Sequence, residues 1–134
     1  MFVDASAMVA ILAGEEEDVI LFRCLEAASR PITSALAIFE AASAICRKKG
    51  LSVEAAEAEV RGLLEQARIG VVPMTDDEAH GALKAYARYG KGRGHPAQLN
   101  MGDCFAYACA RAYDVPLLFV GNDFSRTDIP SALA

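Results

Sequence analysis

The chain has 134 residues and a mass of 14.2 kDa, and its 18 acidic and 13 basic side chains give a net charge of -5. This length fits a single domain over residues 1–134, because a second hydrophobic core needs roughly 50 residues of its own. The charge balance argues against a protein held to nucleic acid or a membrane by overall charge. Uncharged stretches fall short of the roughly 18 residues of a membrane span, and the N-terminus lacks a basic signal region. We therefore expect a cytoplasmic protein without a membrane-spanning segment.

Short apolar runs alternate with longer helical patterns along the chain. The patterns predict helices over residues 5–13, 15–28, 35–49, 52–68, 76–89 and 102–113. They predict short strands over residues 2–3, 31–34, 69–72 and 115–120. Because strands that alternate with helices form parallel sheets, we expect an α/β domain with a small, mainly parallel sheet flanked by helices.

Two local features of the predicted helices have simple physical explanations. Thr75 and Glu78 have the spacing of a capping box, which favours a helix start at residue 76. Arg47, Lys48 and Lys49 fall in the last turn of the third helix, where positive charge stabilises the helix dipole. We assign these three basic residues to that role.

The four cysteines form no C-x-x-C pair and have apolar neighbours; they are Cys24, Cys46, Cys104 and Cys109. We expect them to pack as small hydrophobic side chains rather than to form disulfides or a zinc site.

Acidic residues directly follow two of the predicted strands. Asp4 follows Phe2-Val3, and Asp123 follows the 115–120 run. Since the carboxyl ends of parallel strands share one edge of a sheet, where ligand crevices form, we expect the two acids to be neighbours. Asp103, in the first turn of its helix, either lies near the same edge or only stabilises the helix dipole.

Glu40 is the only charged residue between residues 35 and 45. A carboxylate in such an apolar helix is expected to be partly buried and to need a partner, because an unpaired buried charge is costly. That partner is either an Arg or Lys, or a metal ion shared with the other acids.

Several carboxylates at one edge repel one another unless a hard divalent cation such as Mg²⁺ or Mn²⁺ binds between them. Such ions activate water and stabilise charge in phosphodiester or phosphoryl hydrolysis. Ser6, two residues after Asp4, either donates a hydrogen bond to this site or is an ordinary residue of a first helical turn.

Residues 80–101 contain no acid, whereas Lys84, Arg88, Lys91 and Arg93 are basic. The glycines at 90, 92 and 94 allow a ligand to approach the backbone closely. This basic loop predicts contact with a nucleic acid backbone, and the alternative is a solvated loop after a helix.

Five segments together resemble a PIN domain of the VapC toxin type: residues 1–7, Glu40 in its apolar helix, and residues 89–93, 99–107 and 118–124. The resemblance covers essentially the whole chain. It implies a metal-dependent endoribonuclease that acts on RNAs such as tRNA or ribosomal RNA, as the toxin of a type II toxin-antitoxin pair. It further implies a VapB-type antitoxin and a homodimer.

The family's acidic quartet matches Asp4, Glu40, Asp103 and Asp123. Some relatives have Gly-Asp-Asp where this chain has Gly121-Asn122-Asp123, and we assign the last position to Asp123. The resemblance implies that Asp4 and Asp103 bind Mg²⁺ or Mn²⁺ directly.

The remaining assignments concern the metal shell and the substrate. We expect Glu40 and Asp123 to complete the ligand shell of the metal ion, directly or through water. We expect Lys91, Arg93 and Ser6 to contact the substrate. Asp128 is assigned to a local turn. Two alternatives stay open, a phosphatase of a small phosphoester and a non-catalytic partner-binding domain.

Overall fold

Residues 1–133, which the computed structural model describes, build a parallel sheet with helices packed around it. In chain order the elements are β1 (Phe2–Val3), α1 (Ala5–Leu12), α2 (Asp18–Ala27), β2 (Ile32–Ser34), α3 (Ala35–Lys49), α4 (Val53–Gln66), β3 (Gly70–Val72), α5 (Asp76–Tyr89), α6 (Met101–Ala112) and β4 (Leu117–Leu118). A short 3₁₀ turn follows at Phe124–Arg126. The predicted α/β fold class is confirmed.

The sheet has the strand order β3-β2-β1-β4, and every pairing is parallel. Phe2 lies opposite both Ile32 and Leu117, so β1 is an inner strand with neighbours on both sides. The buried Thr33 hydroxyl donates a hydrogen bond of 2.8 Å to the Val3 carbonyl and fastens β2 to β1. The residue after β1 therefore emerges in the middle of the carboxyl edge of the sheet.

Side-chain caps begin several of the helices. Asp4 caps α1, and Ser34 caps α3 by accepting a hydrogen bond from the Ala37 backbone N–H. The predicted capping box of Thr75 and Glu78 is present at the start of α5. Each cap satisfies backbone N–H groups that a helix end leaves without partners.

Most predicted elements end within one or two residues of the observed bounds, and two differ more. The second helix begins at Asp18 rather than at residue 15, because Glu15 belongs to a turn in which its N–H donates to the Ala10 carbonyl at 2.9 Å. The last strand is limited to residues 117–118, because its partner β1 has only two residues before the chain turns into α1.

The core lies between the sheet and the helices, and its largest fully buried side chains include Phe2, Met8, Leu21, Ile45 and Leu99. The four cysteines are free, and Cys104 and Cys109 are buried. Within residues 1–133, no helix is both long enough and apolar enough to cross a membrane.

The assignment of Asp128 to a turn cap is wrong. Its carboxylate accepts a hydrogen bond from the Tyr107 hydroxyl and forms an ion pair of 2.9 Å with Arg111, both on α6. Thr127 makes the local hydrogen bond instead, with its hydroxyl accepting from the Ile129 N–H. Asp128 thus anchors the segment after β4 to the outer face of the domain.

We expect Thr33→Val to lower the free energy of unfolding by about 1–2 kcal/mol, because it removes the buried hydrogen bond between β1 and β2. Urea unfolding measures the change. The exposed control Ser29→Ala should stay within about 0.5 kcal/mol of the wild type. A loss for Thr33→Val no larger than the control's contradicts this role of the hydroxyl.

Candidate active site

Three carboxylates from distant parts of the chain line one cavity of about 350 Å³ at the carboxyl edge of the sheet. Asp4 comes from the end of β1, Glu40 from the second turn of α3, and Asp103 from the first turn of α6. Ser6 and Val120 complete the wall nearest to the strands. The structure thus brings together three of the four acids that the sequence selected.

Asp4 is 5% exposed and is fixed in place by Ser6. Its Oδ2 accepts hydrogen bonds from the Ser6 backbone N–H at 3.0 Å and from the Ser6 hydroxyl at 2.6 Å. The same hydroxyl oxygen accepts a hydrogen bond of 3.1 Å from the Val120 N–H. Ser6 therefore ties the end of β1 to the segment after β4. Both hydrogen bonds that Ser6 donates to Asp4 go to Oδ2.

Asp103 is held by a capping box at the start of α6. Its Oδ2 accepts from the Asn100 N–H at 3.1 Å, and its own N–H donates to Asn100 Oδ1 at 2.8 Å. The box fixes the rotamer of Asp103, so this acid both caps the helix and faces the cavity.

Gly102 is a close-approach position that the sequence did not single out. A Cβ at this buried residue would collide with the carboxylate of Glu40. Only glycine at this position therefore lets the Glu40 carboxylate stay where it lies against α6.

Asp123 follows β4 and is exposed. It does not line the cavity, but it lies close enough to Asp4 and Asp103 for its charge to raise the pKa of both. Asn122 is exposed too, and its backbone carbonyl accepts a hydrogen bond from Ser125.

Burial and mutual repulsion raise the pKa of Asp4, Glu40 and Asp103. The pKa of Glu40 rises from 4.5 to about 7, first through burial and then through the charges of Asp4 and Asp103. Burial likewise raises the pKa of Asp103 to about 7 and raises that of Asp4. Among residues 1–133 Glu40 forms no ion pair, so the Arg or Lys partner that the sequence left open is absent there.

The donor set fits a hydrated divalent cation. No group of three or more His, Cys, Asp or Glu side chains in the described part of the chain lies close enough together to hold a metal ion by protein ligands alone. The cavity is nevertheless larger than an ion with several waters, since one water occupies about 30 Å³. Mg²⁺ and Mn²⁺ favour carboxylate oxygens and commonly retain waters, so Asp4, Glu40 and Asp103 suit such an ion.

The two predicted basic contacts lie outside this cavity. Lys91 and Arg93 are exposed on the loop after α5, where the Lys91 N–H donates to the Leu99 carbonyl. Lys48 and Glu15 line the cavity instead, and their side chains form an ion pair of 3.7 Å. Lys48 lies eight residues after Glu40, which is a same-face helical spacing that the sequence already contained.

The sequence profile of the PIN domain matches residues 1–130. The chain belongs to the PIN-domain family. Its relatives within that family are VapC ribonucleases. Ribonuclease VapC42 of Mycobacterium tuberculosis is 39% identical over 132 residues, which cover 98% of each chain. A VapC ribonuclease of Rhizobium meliloti is 40% identical, with 96% of this chain and 98% of the relative covered.

A solved structure shows the same PIN fold. VapC20 of Mycobacterium tuberculosis, described as a toxin that cleaves the sarcin-ricin loop, superposes with a TM-score of 0.76. Its sequence is 19% identical, and the match covers 96% of this chain and 95% of that one. The predicted family and fold are confirmed, and so is the interpretation of this PIN domain as a VapC-type ribonuclease.

We expect Glu40→Gln to raise the melting temperature of the metal-free protein at pH 8 and to have little effect near pH 4.5. A carboxyl with a raised folded pKa destabilises the fold when charged, and this penalty disappears as pH falls from about 7 towards 4.5. Thermal unfolding in EDTA measures both values. The exposed control Glu26→Gln should show no such pH dependence, and an equal shift for Glu40→Gln at both pH values contradicts the assignment.

Proposed function

We propose that this chain is a divalent-metal-dependent endoribonuclease whose active site consists of Asp4, Glu40, Asp103 and Asp123. The observation that carries the proposal is the shared cavity of Asp4, Glu40 and Asp103, in a chain whose relatives are VapC ribonucleases. Residues 1–134 form one PIN domain in this proposal, and Mg²⁺ or Mn²⁺ is the metal.

The carboxylates of Asp4 and Asp103 bind the metal directly. Hydrogen bonds to Oδ2 orient the two side chains, from Ser6 at Asp4 and from the Asn100 N–H at Asp103. Glu40 and Asp123 complete the shell directly or through water. When bound, the cation activates water and stabilises the charge that develops on the phosphodiester.

The other residues of the site orient these acids or bind the substrate. Ser6 holds Asp4 through two hydrogen bonds, and its hydroxyl oxygen accepts a third from the Val120 N–H. Ser6 thereby connects the end of β1 to the segment after β4. Lys91 and Arg93 attract the RNA backbone from the exposed loop.

The substrate is a structured cellular RNA such as tRNA or ribosomal RNA, and the chain acts as the toxin of a toxin-antitoxin pair. A VapB-type antitoxin inhibits it, it forms a homodimer, and it works in the cytoplasm, where those RNAs are found. The VapC relatives support this assignment, and they favour RNA over a small phosphoester. An apolar groove of about 420 Å³ between α5 and α6 supports protein partners, with Leu83 and Met101 both 66% exposed.

Cleavage of bulk bacterial tRNA and ribosomal RNA with Mn²⁺ present tests the proposal. We expect Asp4→Asn and Asp103→Asn each to reduce the rate by about 100-fold or more, since even residues that only support metal ligands cost about 10- to 100-fold. EDTA should abolish cleavage, and the control Glu26→Gln should not affect it. Activity that survives both substitutions and the chelator contradicts the proposed site.

Gly102→Ala should lower the cleavage rate by about 10- to 100-fold, because the new methyl group displaces the Glu40 carboxylate. Gly62→Ala is the matched control, since Gly62 is also helical but has no neighbouring atom within 4 Å of the place that a methyl group would occupy. The control should keep full activity and gain up to about 1 kcal/mol of stability. Equal activity of the two variants indicates that the Glu40 position is not required.

A further inference from the structure

One face of α3 carries two groups of opposite charge into the acidic cavity. Glu40, Ala44 and Lys48 are spaced four residues apart, and all three line it. The rise of an α-helix separates the Cα atoms of Glu40 and Lys48 by about 12 Å. Ala44 between them is small, so the cavity continues from the carboxylates to the lysine.

Among the described residues that line this cavity, Lys48 is the only cation, whereas Asp4, Glu15, Glu40 and Asp103 are acidic. An RNA phosphate that approaches these acids meets repulsion from all four. A cation bound between Asp4, Glu40 and Asp103 would offset the repulsion at those acids. A neighbouring phosphate near Glu15 needs a positive group of its own. Lys48 is the group in place for that phosphate.

The ion pair of Lys48 with Glu15 is weak and exposed, so that another anion can replace Glu15. Its two charged atoms are 3.7 Å apart, and the side chains are 53% and 37% exposed. Exposed pairs of this kind contribute little, about 0–1 kcal/mol. Glu15 itself is held in the turn after α1 by its backbone hydrogen bond to Ala10.

We propose that Lys48 is a substrate-binding residue that contacts an RNA phosphate next to the scissile one, and that Glu15 is the counterion which this phosphate replaces. This inference rests on the proposed ribonuclease function. It assigns to Lys48 a role beyond its interaction with the dipole of α3.

The neighbouring Lys49 provides a matched control on the same helix turn. It pairs with Glu59 of α4 at 2.7 Å, and neither residue lines the cavity. Replacing Lys48 or Lys49 removes the same charge and the same interaction with the helix end. The two lysines differ in that Lys48 lines the acidic cavity and Lys49 does not.

Fluorescence anisotropy with fluorescein-labelled bulk bacterial tRNA, the same RNA as in the cleavage test, tests the proposal. Every protein carries Asp103→Asn so that the probe stays intact, and the buffer contains Mg²⁺ at a series of salt concentrations. Lys48→Ala should weaken binding about 5- to 10-fold and reduce the salt slope of log Kd by about 0.7–1. Lys48→Arg should retain tight binding, and Lys49→Ala should change it less than about 2-fold. Glu15→Gln should strengthen binding about 2- to 5-fold.

Each outcome separates the two proposals. If the wild-type protein leaves bulk tRNA and ribosomal RNA uncut with Mn²⁺ present, the ribonuclease function itself is contradicted. If the Asp103→Asn parent binds and Lys48→Ala matches Lys49→Ala in affinity and salt slope, only the role of Lys48 is overturned. Unchanged or weaker binding by Glu15→Gln overturns the assignment of Glu15 as the exchanged counterion.

Discussion

The carboxylates of Asp4, Glu40 and Asp103 share one cavity, and burial together with their mutual repulsion raises the pKa of each. A fold that only had to be stable would avoid this arrangement, because the charged forms destabilise it at neutral pH. Local structure nevertheless holds the acids in place, through Ser6 at Asp4 and the Asn100 capping box at Asp103. In the proposed function, this unfavourable charge density is what favours the binding of a cation.

The sheet topology explains why three elements supply these acids. The inner strand β1 ends at Asp4, and parallel pairing places the carboxyl ends of its neighbours beside it. Helix α3 starts directly from β2, so its second turn carries Glu40 to the same edge. Gly102 then leaves room for the Glu40 carboxylate against α6, whose first turn carries Asp103.

Sequence patterns were sufficient for the fold class and for most of the acidic site, because those features depend on local rules. Asp4 and Asp123 directly follow apolar strands, and Glu40 is a lone charge in an apolar helix. Lys48 was assigned only to the helix dipole, although its spacing from Glu40 already placed both on one face of α3. That this face lines the cavity as far as Lys48 is a result of tertiary packing. The partners of Asp128 lie 17, 21 and 40 residues away, so no local pattern could identify them.

The central claim is that these carboxylates form a binding site for a divalent cation, and a calorimetric titration with Mn²⁺ in the absence of RNA tests it most directly. We predict saturable binding by the wild-type protein near pH 7.5 and a loss of affinity of at least about 10-fold in Asp103→Asn. Absence of binding by the wild type, or equal affinity in both proteins, would contradict the account.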